Sequence, residues 1–218
     1  MPSKFELPDP RGIEDDVIAV GGDLEPGTIL QAYRKGMFPM DLPDGRLAWW
    51  SPIDRAILPL DNLRITRSLR QSTRRFTLSV DADFEAVIDS CANPERPNGW
   101  ITEELREAYL RLHELGWAHS IEVWDSEGEL AGGLYGVTVG GLFAGESMFY
   151  EVSDASKVAL VHLVVMLSDG SNCLLDVQWL TPHLQRMGAV VIGREEYLRR
   201  LPAALAGSTP FDPSGRNR

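Results

Sequence analysis

Two carboxylates lie inside apolar, strand-like segments of this chain. Glu146 closes the glycine-punctuated stretch from Gly132 to Gly145, and Ser147, Met148 and Phe149 follow it. Asp176 sits in the middle of Cys173 to Trp179, with Gln178 two positions on. A carboxylate in a hydrophobic strand is costly to bury unless it is paired or put to use. Side chains at i and i+2 of a strand share a face, so Asp176 and Gln178 are expected side by side. Two acids and an amide beside apolar, Met-bearing surface suit a pocket that takes an amine or cationic group next to a greasy one. They suit equally well a pair of structural acids bonded to backbone or arginine.

A second concentration of charge lies upstream. Residues 63–80 contain no acid in a chain of net charge −11, yet hold Arg64, Arg67, Arg70, Arg74 and Arg75. Arg67, Arg70 and Arg74 fall on one face of a helix. That face is either solvated and tied to acids elsewhere, or a phosphate grip, for which guanidinium geometry is suited. Trp49 and Trp50 are adjacent, so in a strand they face opposite ways, and one of them is placed to line a cleft and stack on a base. The four histidines show no zinc-ligand spacing, so no metal is expected. Ser147 lacks the glycine of a nucleophile elbow. Neither a P-loop nor a dinucleotide fingerprint is present. Gly132-Gly133 and Gly140-Gly141 mark a strand bend and a hairpin turn, or let a substrate approach the backbone closely.

The elements that must position these residues follow from periodicity. Prolines at 8, 10, 26, 39, 43, 52 and 59 break the first sixty residues, which read as loop-rich, with one helix opening at Glu25-Pro26 and carried by Thr28 to Arg34 up to Gly36, a short aromatic strand at Trp49-Trp50 and a further extended piece over residues 53–60. Helices are expected over Arg67–Arg75, Asp83–Ala92, Thr102–Leu115, Ser156–Leu167, Pro182–Met187 and Glu195–Leu205. Strands are expected over Phe76–Val80, Ile121–Trp124, Leu130–Val139, Leu142–Phe149 and Leu174–Trp179. The class is α+β, with residues 1–60 as a small N-terminal domain, 61–206 as a larger one and 207–218 as a flexible tail. Cys91 and Cys173 read as reduced core thiols. The acidic balance argues against a general nucleic-acid coat but leaves room for a local basic patch. The N-terminus does not read as a signal peptide, and the longest apolar run, Val158 to Leu167, is far short of the roughly 20 residues that span a bilayer. A cytoplasmic protein with no membrane partner is expected.

Taken in order, the segments Val20–Leu24, Ala32–Pro39, Trp49–Pro52, Trp100–Thr102, Arg111–Gly116, His119–Trp124, Gly132–Gly136, Phe143–Phe149 and Asp154–Lys157 closely resemble the bacterial leucyl/phenylalanyl-tRNA–protein transferases. The resemblance covers residues 7–200. It implies transfer of Leu or Phe, less so Met, from aminoacyl-tRNA to the N-terminal Arg or Lys of an acceptor protein, which then enters N-degron degradation. It implies a small N-terminal domain and a GNAT-like (acyl-CoA N-acyltransferase-like) C-terminal domain with a mostly antiparallel sheet. It implies neither CoA nor metal, and nothing points to an obligate dimer, so a monomer without cofactor is expected.

On this reading Asp176 and Gln178 orient the acceptor amine and Glu146 holds the amine or the Arg/Lys head. Met148, Phe143 and Leu134 line the donor side-chain pocket. Trp50, Trp100, Tyr33 and Met40 meet the 3′ adenosine, and Arg67, Arg70 and Arg74 grip the acceptor stem. The chain departs from the family pattern at Val177, where a cysteine is common, and at Met40, where an aromatic is common. Two competing readings are an acyl-CoA-dependent transferase, which lacks its pyrophosphate-cradling turn here, and a non-catalytic tRNA- or peptide-binding protein.

Overall fold

The computed structural model describes residues 3–94 and 99–211. The N-terminal part builds β1 (Val17–Val20), α1 (Pro26–Arg34), β2 (Phe38–Asp41) and β3 (Leu47–Trp50). α1 opens with Pro26 in its first turn, where the missing N–H costs nothing. The three strands form an antiparallel sheet in the order β1-β3-β2. β1 and β2 fall in the stretch expected to be loop; at four residues each, they are too short to show a period.

The next strand, β4 (Asp54–Ile57), leaves that sheet. Although it lies within the segment expected to form the small domain, it pairs with strands from the far end of the chain. Then come α2 (Arg67–Ser72), β5 (Thr77–Val80), α3 (Phe84–Ala92), α4 (Glu103–Glu114), β6 (Ala118–Trp124), β7 (Leu130–Val139) and β8 (Leu142–Tyr150). The chain finishes with α5 (Ala155–Ser168), β9 (Leu174–Gln178), α6 (Pro182–Met187), β10 (Val190–Gly193) and α7 (Arg194–Leu205). Thr66, Asp83, Thr102 and Thr181 cap α2, α3, α4 and α6 by accepting a backbone N–H three residues on. α2 stops at Ser72, and Arg74 follows in a 3₁₀ turn, so Arg67, Arg70 and Arg74 do not share one α-helical face.

The seven-stranded sheet runs β10-β4-β9-β8-β7-β6-β5, antiparallel except between β8 and β9. α3 and α4 cover one face and α5 the other, so the sheet separates two apolar cores. Alternation sends Leu134 to one core and Tyr135 to the other. Ile29, Tyr33, Met37, Phe38 and Trp49 belong to the same core as α3 and α4, so the N-terminal unit is fused to the larger one. Two glycines are required by close packing. A Cβ on Gly133 would stand 2.8 Å from the Ile121 carbonyl oxygen, and one on Gly140, in the β7–β8 turn at φ +62°, 2.3 Å from that of Leu205. Both fit protein against protein and neither lines the cavity described below.

Residues 207–211 are not frayed. Ser208 bridges to Ser171, and Phe211 is buried against His119 and Phe143. The rest of the expected tail, 212–218, lies outside the described residues.

Candidate active site

β8 and β9 pair only over Leu142–Ala144 and Leu174–Asp176. Beyond that point β8 continues to Tyr150 while β9 ends at Gln178. A cavity of about 600 Å³ opens where the pairing stops, within the roughly 300–1,000 Å³ of ordinary ligand pockets. Gly145, Glu146, Ser147 and Met148 of β8 line one side, and Val177, Gln178 and Trp179 the other. Leu134, Leu160, Leu163, Leu175 and Leu184 make the apolar floor, with Phe38, Met40 and Trp100 at the N-terminal side.

Two backbone irregularities aim the polar groups. Gly136 pairs with Gly145 and Tyr135 with Ser147, so Glu146 is the unpaired residue of a β-bulge. Bulges of this kind re-aim a side chain. On β9, Ala56 pairs with Gln178 and Ile57 with Asp176, which makes Val177 the extra residue of a second bulge. Gln178 then takes φ +57°, and Trp179 N–H donates to the Val177 carbonyl at 2.7 Å. That is a tight three-residue turn with positive φ at its centre, a sparsely populated conformation for a non-glycine residue.

These irregularities break the two-residue alternation expected for Asp176 and Gln178. Asp176 does not face the cavity. Its carboxylate is fully buried and accepts from Arg55 Nε at 2.9 Å, Arg55 Nη2 at 2.5 Å, the Tyr197 hydroxyl at 2.8 Å and the Gln178 backbone N–H at 3.0 Å. Arg55 is itself sandwiched, its guanidinium 4.5 Å from the Tyr197 ring centre and 4.9 Å from that of Phe38. Asp176 thus ties β4, α7 and the turn at Gln178 together, and it is the turn that carries the Gln178 amide to the cavity wall.

Glu146 is the carboxylate that reaches the cavity. It accepts from the Tyr33 hydroxyl at 2.7 Å, the Tyr109 hydroxyl at 3.0 Å and the Gln178 Nε2 amide at 3.3 Å. Burial pushes its pKa up to about 7, against the two tyrosine hydroxyls, which favour the ionised form. Burial also raises both tyrosines well above the usual phenol value, so they remain protonated donors. The two hydroxyls also stand 3.0 Å apart. Three oxygen–oxygen contacts then share two hydroxyl protons when Glu146 is ionised, and a third proton completes the set when it is neutral. The arrangement can take up and release one proton near neutral pH.

Of the other residues expected at the site, Met148 and Leu134 are cross-strand partners and line the cavity, as do Met40 and Trp100. Three are placed elsewhere. Phe143 is fully buried in the core, 5.4 Å from the Phe211 ring. Tyr33 is 1% exposed beneath Glu146 and offers no face for stacking. Trp50 is half-buried, donates Nε1 to the Met40 carbonyl at 2.8 Å and meets Trp179 edge-on at 5.9 Å; Trp179 is the ring that borders the cavity. Arg64, Arg67, Arg70, Arg74 and Arg75 are exposed, and none forms an ion pair within the described residues. No group of three or more His, Cys, Asp or Glu suited to a metal occurs among the described residues.

The model of the leucyl/phenylalanyl-tRNA protein transferase family matches residues 57–202, and that of its N-terminal domain matches 22–53. The chain belongs to this family. A leucyl/phenylalanyl-tRNA–protein transferase of Azoarcus sp. (strain BH72) is 47% identical over 98% of this chain and 91% of its own. That of Anaeromyxobacter dehalogenans is 48% identical over 96% and 92%, and that of Chlorobium luteolum 51% over 84% and 96%. The chain is therefore an aminoacyltransferase that moves an aminoacyl group from tRNA to protein. The two family matches meet between residues 53 and 57, where the chain passes from the small sheet to the large one. Among solved structures, L-PGS from Bacillus licheniformis aligns with TM-score 0.37 and 16% identity over 78% of this chain and 50% of that one, a likeness that bears on neither fold nor function here. No helix among the described residues is long and apolar enough to cross a membrane.

Proposed function

We propose that the cavity receives the side chain of Leu or Phe, and less well Met, esterified to the 3′ end of tRNA, and that the acceptor is a protein beginning with Arg or Lys. Its apolar floor suits those donors, and the polarizable Met148 adapts to either shape. An aminoacyl ester is already activated, so the reaction needs positioning and a proton acceptor rather than a cofactor. The acceptor α-amine attacks the ester carbonyl, the carbon–nitrogen bond forms, and the bond to the 3′ oxygen breaks. The proton leaving the amine goes to Glu146 and then to the departing oxygen. Gln178 orients the amine beside Glu146. Asp176 acts through the turn it holds and not on the substrate, which revises its expected role. The observation that carries this reading is the half-buried Glu146, which has a pKa of about 7 and is held by two tyrosine hydroxyls at the wall of an apolar cavity.

Arg67, Arg70 and Arg74, free of ion pairs among the described residues, suit the acceptor stem, and Trp100 with Trp179 suits the terminal adenine. A GNAT-like larger domain, a monomer, a cytoplasmic location and delivery of the product to N-degron degradation complete the proposal. The test is transfer of labelled Leu from Leu-tRNA to a protein beginning with Arg, beside the same protein beginning with Ala. Label on the Arg form alone supports the acceptor rule. Equal label on both, or none on either from folded protein that binds Leu-tRNA, overturns it.

A further inference from the structure

A line of polar contacts runs from the arginine helix to α5, whose Leu160 and Leu163 line the cavity, and the reaction itself does not use it. Ser72 of α2 donates its hydroxyl to Asp154 Oδ2 at 2.9 Å. The other oxygen of Asp154, just ahead of α5, holds Lys157 Nζ at 2.6 Å. Lys157 stands one helical turn before Leu160, a cavity residue, and so on the same face. α6 repeats the arrangement from the far side. His183 lines the cavity, and the exposed Arg186 follows three residues later with no ion pair among the described residues. Lys157 and Arg186 each stand one helical turn from a cavity residue, Leu160 and His183, and their charges add to burial in lowering the His183 pKa. In a chain of net charge −11, cations thus mark a path from α2 to the cavity. Asp154 is the acid on that path, and Lys157 and Ser72 already occupy it.

We propose that Lys157 and Arg186 hold the phosphodiesters of the unpaired 3′ end of the donor tRNA, between the stem on α2 and the aminoacyl group in the cavity. The proposal rests on the reading given above. The acceptor begins with a cation, so these two residues would repel it; a phosphate chain crossing an acidic protein needs such neutralisation.

Three donors separate the contributions: Leu-tRNA, a Leu trinucleotide ester with phosphodiesters but no stem, and Leu-adenosine ester with neither. The variants are Lys157→Met with Arg186→Met, Arg186→Met alone (which removes no hydrogen bond or ion pair among the described residues), and the charge-preserving Lys157→Arg with Arg186→Lys. The double Met variant should raise KM for the trinucleotide ester about tenfold with kcat little changed, the single one less, and the charge-preserving one hardly at all. KM for Leu-adenosine should not move. An equal rise with Leu-adenosine, or no rise with the trinucleotide, overturns the inference and leaves the reaction standing. Absence of transfer from all three donors by the unaltered protein overturns the underlying reading, and the inference with it.

Discussion

Replacing Tyr33 by Phe removes the shortest hydrogen bond to Glu146 and leaves the ring in its buried place. Tyr33 donates to Oε1 at 2.7 Å and Tyr109 to Oε2 at 3.0 Å, and both favour the ionised carboxylate that burial opposes. A hydrogen bond to a charged group contributes about 1.5–3 kcal/mol, and about 1.4 kcal/mol corresponds to one pH unit. Loss of one donor should therefore move the Glu146 pKa from about 7 upward by about one pH unit or more. If Glu146 accepts the amine proton, activity needs its ionised form, so the acid limb of the rate profile moves to higher pH. The rate of the variant relative to the unaltered protein should fall below neutrality and recover as both become ionised. Single-turnover transfer between about pH 5.5 and pH 9.5 measures this. The acceptor α-amine, titrating near pH 8, is common to both proteins and cancels in the ratio. A variant whose rate is lowered equally at every pH, or whose limb moves to lower pH, would refute the base assignment.

Three further outcomes follow from the same site and its surroundings. Glu146→Gln should slow transfer by about 10²-fold or more. It should also stabilise the fold at alkaline pH, because a carboxyl raised on folding from 4.5 to about 7 contributes stability below the lower value and loses it as pH rises through the upper. The gain, read from thermal melts at pH 8 and pH 5, is at most about 3 kcal/mol at the higher pH and small at the lower, since Glu146 borders the cavity and solvent screens it in part. Arg55→Met leaves Asp176 buried without its cation and should cost about 3–5 kcal/mol in urea unfolding, with a cost below the sum of the singles when combined with Asp176→Asn. Arg67, Arg70 and Arg74 changed together to Ala should weaken Leu-tRNA binding and flatten its salt dependence by about one in log–log slope for each phosphate no longer neutralised.

Much of the site was legible because it violates the strand pattern. Glu146 and Asp176 are acids in apolar strands, and both proved to be the centres of hydrogen-bond clusters. Arg55, a charged residue ahead of Ala56-Ile57-Leu58, is not among the residues singled out from the sequence, and only the structure identifies it as the counterion of Asp176. What periodicity could not give is the direction of these groups. A bulge at Glu146 and a bulge with a tight turn at Val177–Trp179 each shift the register, so the rule that i and i+2 share a face fails where the chemistry lies. Tyr109 reads as an ordinary core position of α4 beside Leu105 and Leu112, because its ring packs there and only its hydroxyl reaches Glu146. Apart from Lys157 and His162, the body of α5 is apolar nearly all round, so its sequence does not reveal which leucines face a cavity. β10 has four residues, as β1 and β2 do, and its partner β4 is distant in sequence.

The position of β4 sets a constraint on how the protein comes into being. This strand is made early, yet its neighbours in the sheet, β9 and β10, are among the last segments synthesised. Until they emerge from the ribosome, β4 has no partner on either edge, Arg55 has no Asp176, and the turn at Gln178 does not exist. Pairings so far apart in sequence close slowly and leave a strand edge exposed in the meantime. A nascent or truncated chain lacking β10 and α7 is thus expected to be inactive as well as unstable. An enzyme that passes aminoacyl groups to other proteins acquires its own active site only when its C-terminal part is in place.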